Sequence, residues 1–154
     1  MPLMTVEELE RFLAAEFPQG FNPQSGLAIE AVWTNGCRVR QRFSVSSLRP
    51  GGTISGPTMM GLADFAMYVA VLAAIGPVAL AVTINLTINF LRKPGQRDLI
   101  ADARLLKLGQ RLATGEILIR SEGEPDIVAH TIATYSIPLQ RTPFLTSGNT
   151  QPST

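Results

Sequence analysis

One carboxylate stands alone in a long apolar stretch. Between Arg49 and Arg92 the sole charged residue is Asp64, set inside the run GPTMMGLADFAMYVAVLAAI. An ionisable group in such surroundings costs free energy unless it is paired or used. Asp64 is therefore the leading functional candidate. Tyr68 lies one helical turn beyond it and, with Met60 and Met67, either lines a pocket or packs the core. Lys107, Gln110 and Arg111 surround a tight turn, where they meet phosphate or simply solvent. Cys37 and His130 are the only cysteine and histidine, too few nitrogen and sulfur ligands for a protein-built zinc site. A metal site is not expected.

The elements that must position Asp64 follow from periodicity. Val6, Leu9, Phe12 and Leu13 share one face of a short helix over Thr5 to Glu16, with Thr5 and Glu8 spaced as a capping box. Leu27–Trp33 and Arg38–Val45 read as strands joined through Thr34-Asn35-Gly36, a hairpin signal. Arg38, Arg40 and Arg42 alternate along the second of them and predict a solvated face. Ser55 or Gly56 can cap the next helix, and Pro57 suits its first turn. Apolar residues then cover every side from Thr58 to Ile75, the mark of a helix surrounded by protein. Gly76-Pro77 stops it.

Val82, Ile84, Leu86, Ile88 and Phe90 next alternate with Thr83, Asn85, Thr87 and Asn89, which predicts a half-buried strand. Three further strands are expected at Leu99–Leu108, Leu112–Ser121 and Ile127–Ile137, antiparallel because their links are short. Residues 1–137 form one α+β domain, and 138–154, rich in Thr, Ser, Pro and Gln, read as a flexible tail. One long helix wrapped by a single antiparallel sheet is the simplest arrangement. Its uncovered side needs a second copy of the chain.

Composition narrows the class. The chain has 154 residues, 45% of them hydrophobic, enough for one domain with a real core. A net charge of +1 with scattered basic residues leaves no footprint for nucleic acid or an acidic membrane surface. The single Cys37 excludes an internal disulfide and fits a reducing, cytoplasmic setting. The N-terminus is acidic and amphipathic, unlike a secretory signal. Asp64 and Pro77 interrupt the apolar stretch, so a core helix is expected in place of a membrane span.

In order and spacing, several fragments resemble the hotdog-fold acyl-CoA thioesterases of the phenylacetyl-CoA thioesterase type. They are Ser55-Gly56-Pro57, Leu62-Ala63-Asp64, Val82-Thr83, Ile88-Asn89-Phe90-Leu91-Arg92, Lys107 to Leu112, Val128-Ala129-His130 and Thr134-Tyr135. The resemblance implies a hotdog fold and hydrolysis of an acyl-CoA, with no cofactor beyond the CoA of the substrate. It assigns the Gly56 N–H to polarising the thioester carbonyl, Asp64 to attack or water activation, and Thr83 to positioning that water. Ser55, Met60, Met67, Tyr68, Lys107, Gln110 and Arg111 then become substrate-binding candidates. Ser55 stands where the family usually has His, and Pro57 replaces a second Gly, removing one N–H. That departure keeps open a non-catalytic acyl-CoA binding or sensing protein on the same fold.

Eight residues of helix separate Gly56 from Asp64 by about 12 Å. They cannot reach one carbonyl carbon from the same chain. Two helices antiparallel across a two-fold axis would bring one of each together, so an obligate homodimer with two equivalent sites is expected. Relatives of this type are commonly dimers of dimers, which extends the expectation to a homotetramer, with the Thr83/Asn85/Thr87/Asn89 face as a second interface or a solvated surface.

Overall fold

The computed structural model of the protein describes residues 1–139. Helix α1 (Val6–Glu16) starts from the capping box its sequence carries: Thr5 Oγ1 accepts from the Glu8 N–H at 3.2 Å, and Glu8 Oε1 accepts from the Thr5 N–H at 3.3 Å. Strands β1 (Leu27–Trp33) and β2 (Gly36–Gln41) form a hairpin. A 3₁₀ turn (Val45–Ser47) leads to α2 (Gly56–Ile75), followed by β3 (Val82–Phe90), β4 (Leu99–Leu108), β5 (Leu112–Ser121) and β6 (Ile127–Ser136). The six strands make one sheet in the order β1-β2-β4-β5-β6-β3, every neighbouring pair antiparallel. This is the hotdog architecture, one long helix wrapped by an antiparallel sheet.

Helix and sheet fit because the inner face of the sheet is built from small side chains. Ala101 and Ala103 on β4, Ala113 and Gly115 on β5, and Ala129 and Ala133 on β6 let α2 lie close. Leu62, Met67, Val69 and Leu72 fill the space between them. A Cβ on Gly115 would stand 2.5 Å from Met67 Sδ and 3.0 Å from the Arg104 carbonyl oxygen. Cys37, fully buried, donates to the Ala66 carbonyl at 3.2 Å, and burial pushes its thiol well above the usual range. Long and apolar as α2 is, most of it is packed beneath the sheet, so it is the core helix of the fold.

The outer face carries the charges. Asp102 takes Arg38 at 2.7 Å and Arg120 at 3.1 Å, while Glu116 takes Arg104 and His130, each at 2.9 Å. Arg40 reaches Glu30, Asp98 and Glu122. The arginines expected on a merely solvated strand are thus locked into ion pairs, with the exception of Arg42 among the described residues.

Three expectations need correction. Strand β2 ends at Gln41, not Val45, because the Phe43 N–H turns to Asp98 Oδ1 at 2.8 Å and Ser44 caps the 3₁₀ turn. The hairpin is closed by the pair Trp33↔Gly36, leaving Thr34 and Asn35 as the turn, with Asn35 at φ 58°. Gly36 serves instead as a close-approach point, since a Cβ there would lie 2.8 Å from the Ala103 carbonyl. A register shift between Thr83 and Asn85 breaks the simple alternation of β3. The tail expected over 138–154 lies, past Leu139, outside the described residues.

Gly115→Ala is expected to lower folding stability by about 1–3 kcal/mol, since both neighbours of the added methyl are held in place. Urea denaturation checks it; an unchanged midpoint would mean that helix and sheet are not packed this closely.

Candidate active site

Asp64 sits on the strip of α2 that the sheet leaves uncovered, together with Pro57, Met60 and Gly61. It is half-buried and opens into a cavity of about 730 Å³ between α2, the C-terminal end of α1 and the start of β3. Phe17, Leu62, Phe65 and Tyr68 supply apolar walls. The carboxylate is held from two strands. Thr83 Oγ1 donates to Asp64 Oδ1 at 2.5 Å, and the Tyr135 hydroxyl donates to the same oxygen at 2.8 Å. Two donors converging on one oxygen fix the orientation of the group. Asp64 Oδ2 has no hydrogen-bond partner among the described residues.

The register shift in β3 is what aims Thr83. Before it, Thr83 pairs with Tyr135; after it, Asn85 pairs with Thr134 and Leu86 with Ala133. The extra residue, Ile84, reverses the parity, so Thr83 shares the inner face with Leu86, Ile88 and Phe90 while Asn85, Thr87 and Asn89 stay outside. Bulges that re-aim one side chain are common beside functional sites. Without the bulge, Thr83 would point away from Asp64.

Tyr135 is 3% exposed, and its phenol is pushed up, first by burial and then by the nearby Asp64 charge, so it remains a donor. Its ring stacks on Tyr68 at 6.0 Å, and the Tyr68 hydroxyl in turn donates to the Ala79 carbonyl at 3.0 Å. Burial, followed by the charge of Glu16, also raises the Tyr68 phenol.

A second cleft, of about 470 Å³, opens at the other end of the uncovered strip, at the N-terminus of α2. Ser55 caps the helix by accepting from the Thr58 N–H at 3.4 Å, and its hydroxyl also meets Thr58 Oγ1 at 2.9 Å. Pro57 has no N–H. The Gly56 N–H is consequently the unpartnered donor of this first turn among the described residues. The ring of Phe90 lies over it, for a Cβ on Gly56 would come within 3.2 Å of Phe90 Cζ. Arg49, Arg92 and Lys93 line the cleft and have no acidic partner among the described residues. Strand β3 therefore links the two clefts, with Thr83 at its start beside Asp64 and Phe90 at its end beside Gly56.

The remaining candidates are dispersed. Met60 is 41% exposed on the open strip, outside both clefts. Met67 is fully buried against Gly115, part of the core and not of the cavity wall. Tyr68 does line the cavity. Lys107, Gln110 and Arg111 are exposed around the β4–β5 turn. The cross-strand row Ala113, Tyr135, Thr83 places that turn at the Asp64 end of the sheet. Tyr135 received no site role from the sequence. Its signal was the alternation of β6, which puts it on the buried side with Ala129, Thr131 and Ala133, where a tyrosine hydroxyl needs a partner.

A model of the thioesterase superfamily matches residues 51–128, from the turn before α2 into β6. Among curated proteins, none matches the chain. A presumed thioesterase from a Silicibacter species is 45% identical, with 90% of this chain and 94% of that one covered and a TM-score of 0.79. A variant of the phenylacetic acid degradation protein PaaI from Thermus thermophilus is 25% identical over 83% of this chain and 99% of that one, with a TM-score of 0.65. Zebrafish thioesterase superfamily member 2 is 16% identical over 88% and 99%, with a TM-score of 0.75, a likeness of fold alone.

Gly56→Ala is expected to change stability by less than about 1 kcal/mol, because the neighbouring Phe90 is half exposed and free to rotate. A thermal melt checks this; a larger loss would mean that the Phe90 ring is held against the helix.

Proposed function

This chain belongs to the thioesterase superfamily, and from that membership we propose that it hydrolyses an acyl-CoA thioester to the free acid and CoA at a site shared by two subunits. The observation that carries the reading is the Asp64 carboxylate, with Oδ1 held by two hydroxyls and Oδ2 open to an apolar cavity. The acyl group lies in that cavity against Phe17, Phe65 and Tyr68. Asp64 Oδ2 takes a proton from water, and the hydroxide attacks the thioester carbon. Negative charge develops on the carbonyl oxygen, where the Gly56 N–H of the other subunit and its helix dipole stabilise it. Collapse of the intermediate expels the CoA thiolate, a good leaving group, which takes the proton from Asp64 and restores the carboxylate. CoA enters and leaves as part of the substrate, and no further cofactor takes part. Arg49, Arg92 and Lys93 beside Gly56 suit its phosphates, as do Lys107, Gln110 and Arg111 at the β4–β5 turn.

The requirement for two subunits rests on β3. It is an edge strand with one side unpaired, and Val82, Ile84 and Phe90 on it are 53%, 56% and 50% exposed. A long apolar edge is a liability for a lone chain and a template for pairing with a second copy. Antiparallel pairing of two β3 strands about a two-fold axis sets the Thr83 end of one beside the Phe90 end of the other. Asp64 of one subunit then faces Gly56 of its partner, and the pairing extends the sheet across the dimer. A homotetramer remains a proposal resting on the outer row Asn85, Thr87 and Asn89, from which the bulge removes Thr83. A cytoplasmic setting rests on the lone reduced Cys37.

A second reading, a non-catalytic acyl-CoA binder, draws on Pro57, which leaves a single free N–H at the helix start. Release of free CoA thiol from a panel of aryl and alkyl acyl-CoAs separates the two: binding without release supports the second.

Asp64→Asn is expected to lower kcat by 10²-fold or more, with an unchanged dimer in sedimentation, because it removes the base and keeps the size. Near-normal hydrolysis would end the role of Asp64. Ile84→Glu, placing a charge on the exposed edge, is expected to give monomers without activity; an active monomer would refute the shared site.

A further inference from the structure

Tyr135 reaches the reacting carboxylate from a strand that the proposed hydrolysis does not otherwise use. Its one hydroxyl proton is placed between two acceptors of the same residue, Asp64 Oδ1 at 2.8 Å and the Asp64 carbonyl oxygen at 3.0 Å. A donor that grips side chain and backbone together restricts the rotation of the carboxylate about the helix. The ring that carries this hydroxyl is itself fixed. It is buried, stacks on Tyr68 with an interplanar angle of 25°, and Tyr68 is braced edge-on by Phe17 at 6.4 Å and tied to Ala79 through its own hydroxyl. Thr83, by contrast, approaches from the exposed edge strand.

We propose that Tyr135 is the positioning residue of the Asp64 base, aiming Oδ2 at the water by donating to Oδ1. The inference rests on the reading of Asp64 as that base. It assigns the two donors different duties: Tyr135 sets the orientation from the rigid interior, while Thr83 completes the pair from the edge that meets the other subunit. Burial keeps the Tyr135 phenol protonated, so it acts as a donor and not as a base. Few other titratable groups face Asp64. Tyr68 lies one turn along α2, Glu16 comes from the end of α1 across the cavity, and Cys37 on β2 meets α2 at Ala66. Strand β3 offers only the hydroxyl of Thr83. Within one subunit Glu16 and Asp64 are the charged residues lining the cavity, and in the proposed dimer Arg49, Arg92 and Lys93 of the second copy come up beside Gly56.

A purely structural Tyr135 would tie α2 to β6 and nothing more. The distinction is read from the acid limb of kcat/KM, where activity falls as Asp64 takes up a proton. Removing a donor to the charged form moves that limb to higher pH; strengthening the donor moves it lower. Tyr135→Phe, which keeps the ring and its stacking, is expected to lower kcat roughly 10- to 100-fold, the loss of one hydrogen bond to a charged group, with KM little changed. Its acid limb should shift upward. Monofluorotyrosine placed at position 135 keeps the shape and donates more strongly, so the limb should shift downward even if Tyr135→Phe folds poorly. Limbs that stay in place for the fluorinated protein, or for a folded Tyr135→Phe, would overturn the inference. Asp64→Asn in the same assay keeps the two ideas apart: full activity there removes the base itself, whereas an inactive Asp64→Asn beside unmoved limbs removes only Tyr135.

Discussion

The structure turns on how a helix that is apolar on every side can be buried while carrying one carboxylate. Packing α2 beneath the sheet requires small residues on the inner face, and Ala101, Ala103, Ala113, Gly115, Ala129 and Ala133 supply them. The same close packing brings β6 near enough for the Tyr135 hydroxyl to reach both the backbone and the side chain of Asp64. A half-buried carboxylate without donors would cost free energy. Here two hydroxyls meet one oxygen, and the other faces the cavity.

Strand β3 follows from the opposite condition. It lies at the edge of the sheet and its residues are mostly exposed on both faces. Its inner row touches the two ends of the open helix strip, Thr83 at Asp64 and Phe90 at Gly56. An element with so little burial of its own leaves its outer edge open to pairing, which is the ground for the proposed dimer. The outer face of the sheet is governed instead by charge, with Asp102 and Glu116 each bridging two basic partners. The Glu116 carboxyl is held below the usual range, first by the hydrogen bond from His130 and, against the opposing effect of burial, by Arg104.

Much of the fold was legible because periodicity is a local property. The boundaries of β1, β4 and β5 match the alternation of their residues, and the capping box at Thr5 and Glu8 starts α1 as its spacing predicts. The isolation of Asp64 in an apolar run was visible from composition alone. Two placements were not. Met67 belongs to the core because its side of α2 faces Gly115, a pairing that depends on how helix and sheet cross. Tyr135 belongs to the site because β6 passes beside Asp64, 71 residues earlier in the chain.

Sequence by itself settled which segments alternate, which helix is apolar throughout and which single acid interrupts it, since each depends on neighbours within a turn or two. Tertiary structure alone decided which oxygen of that acid stays free, through the bulge at Ile84 that reverses the face of Thr83 and the approach of Tyr135 from a distant strand. The physical reason is that a one-residue slip in register swaps every following side chain to the other face. Such a slip is set by the pairing of β3 with β6, and the alternating residues carry no mark of it.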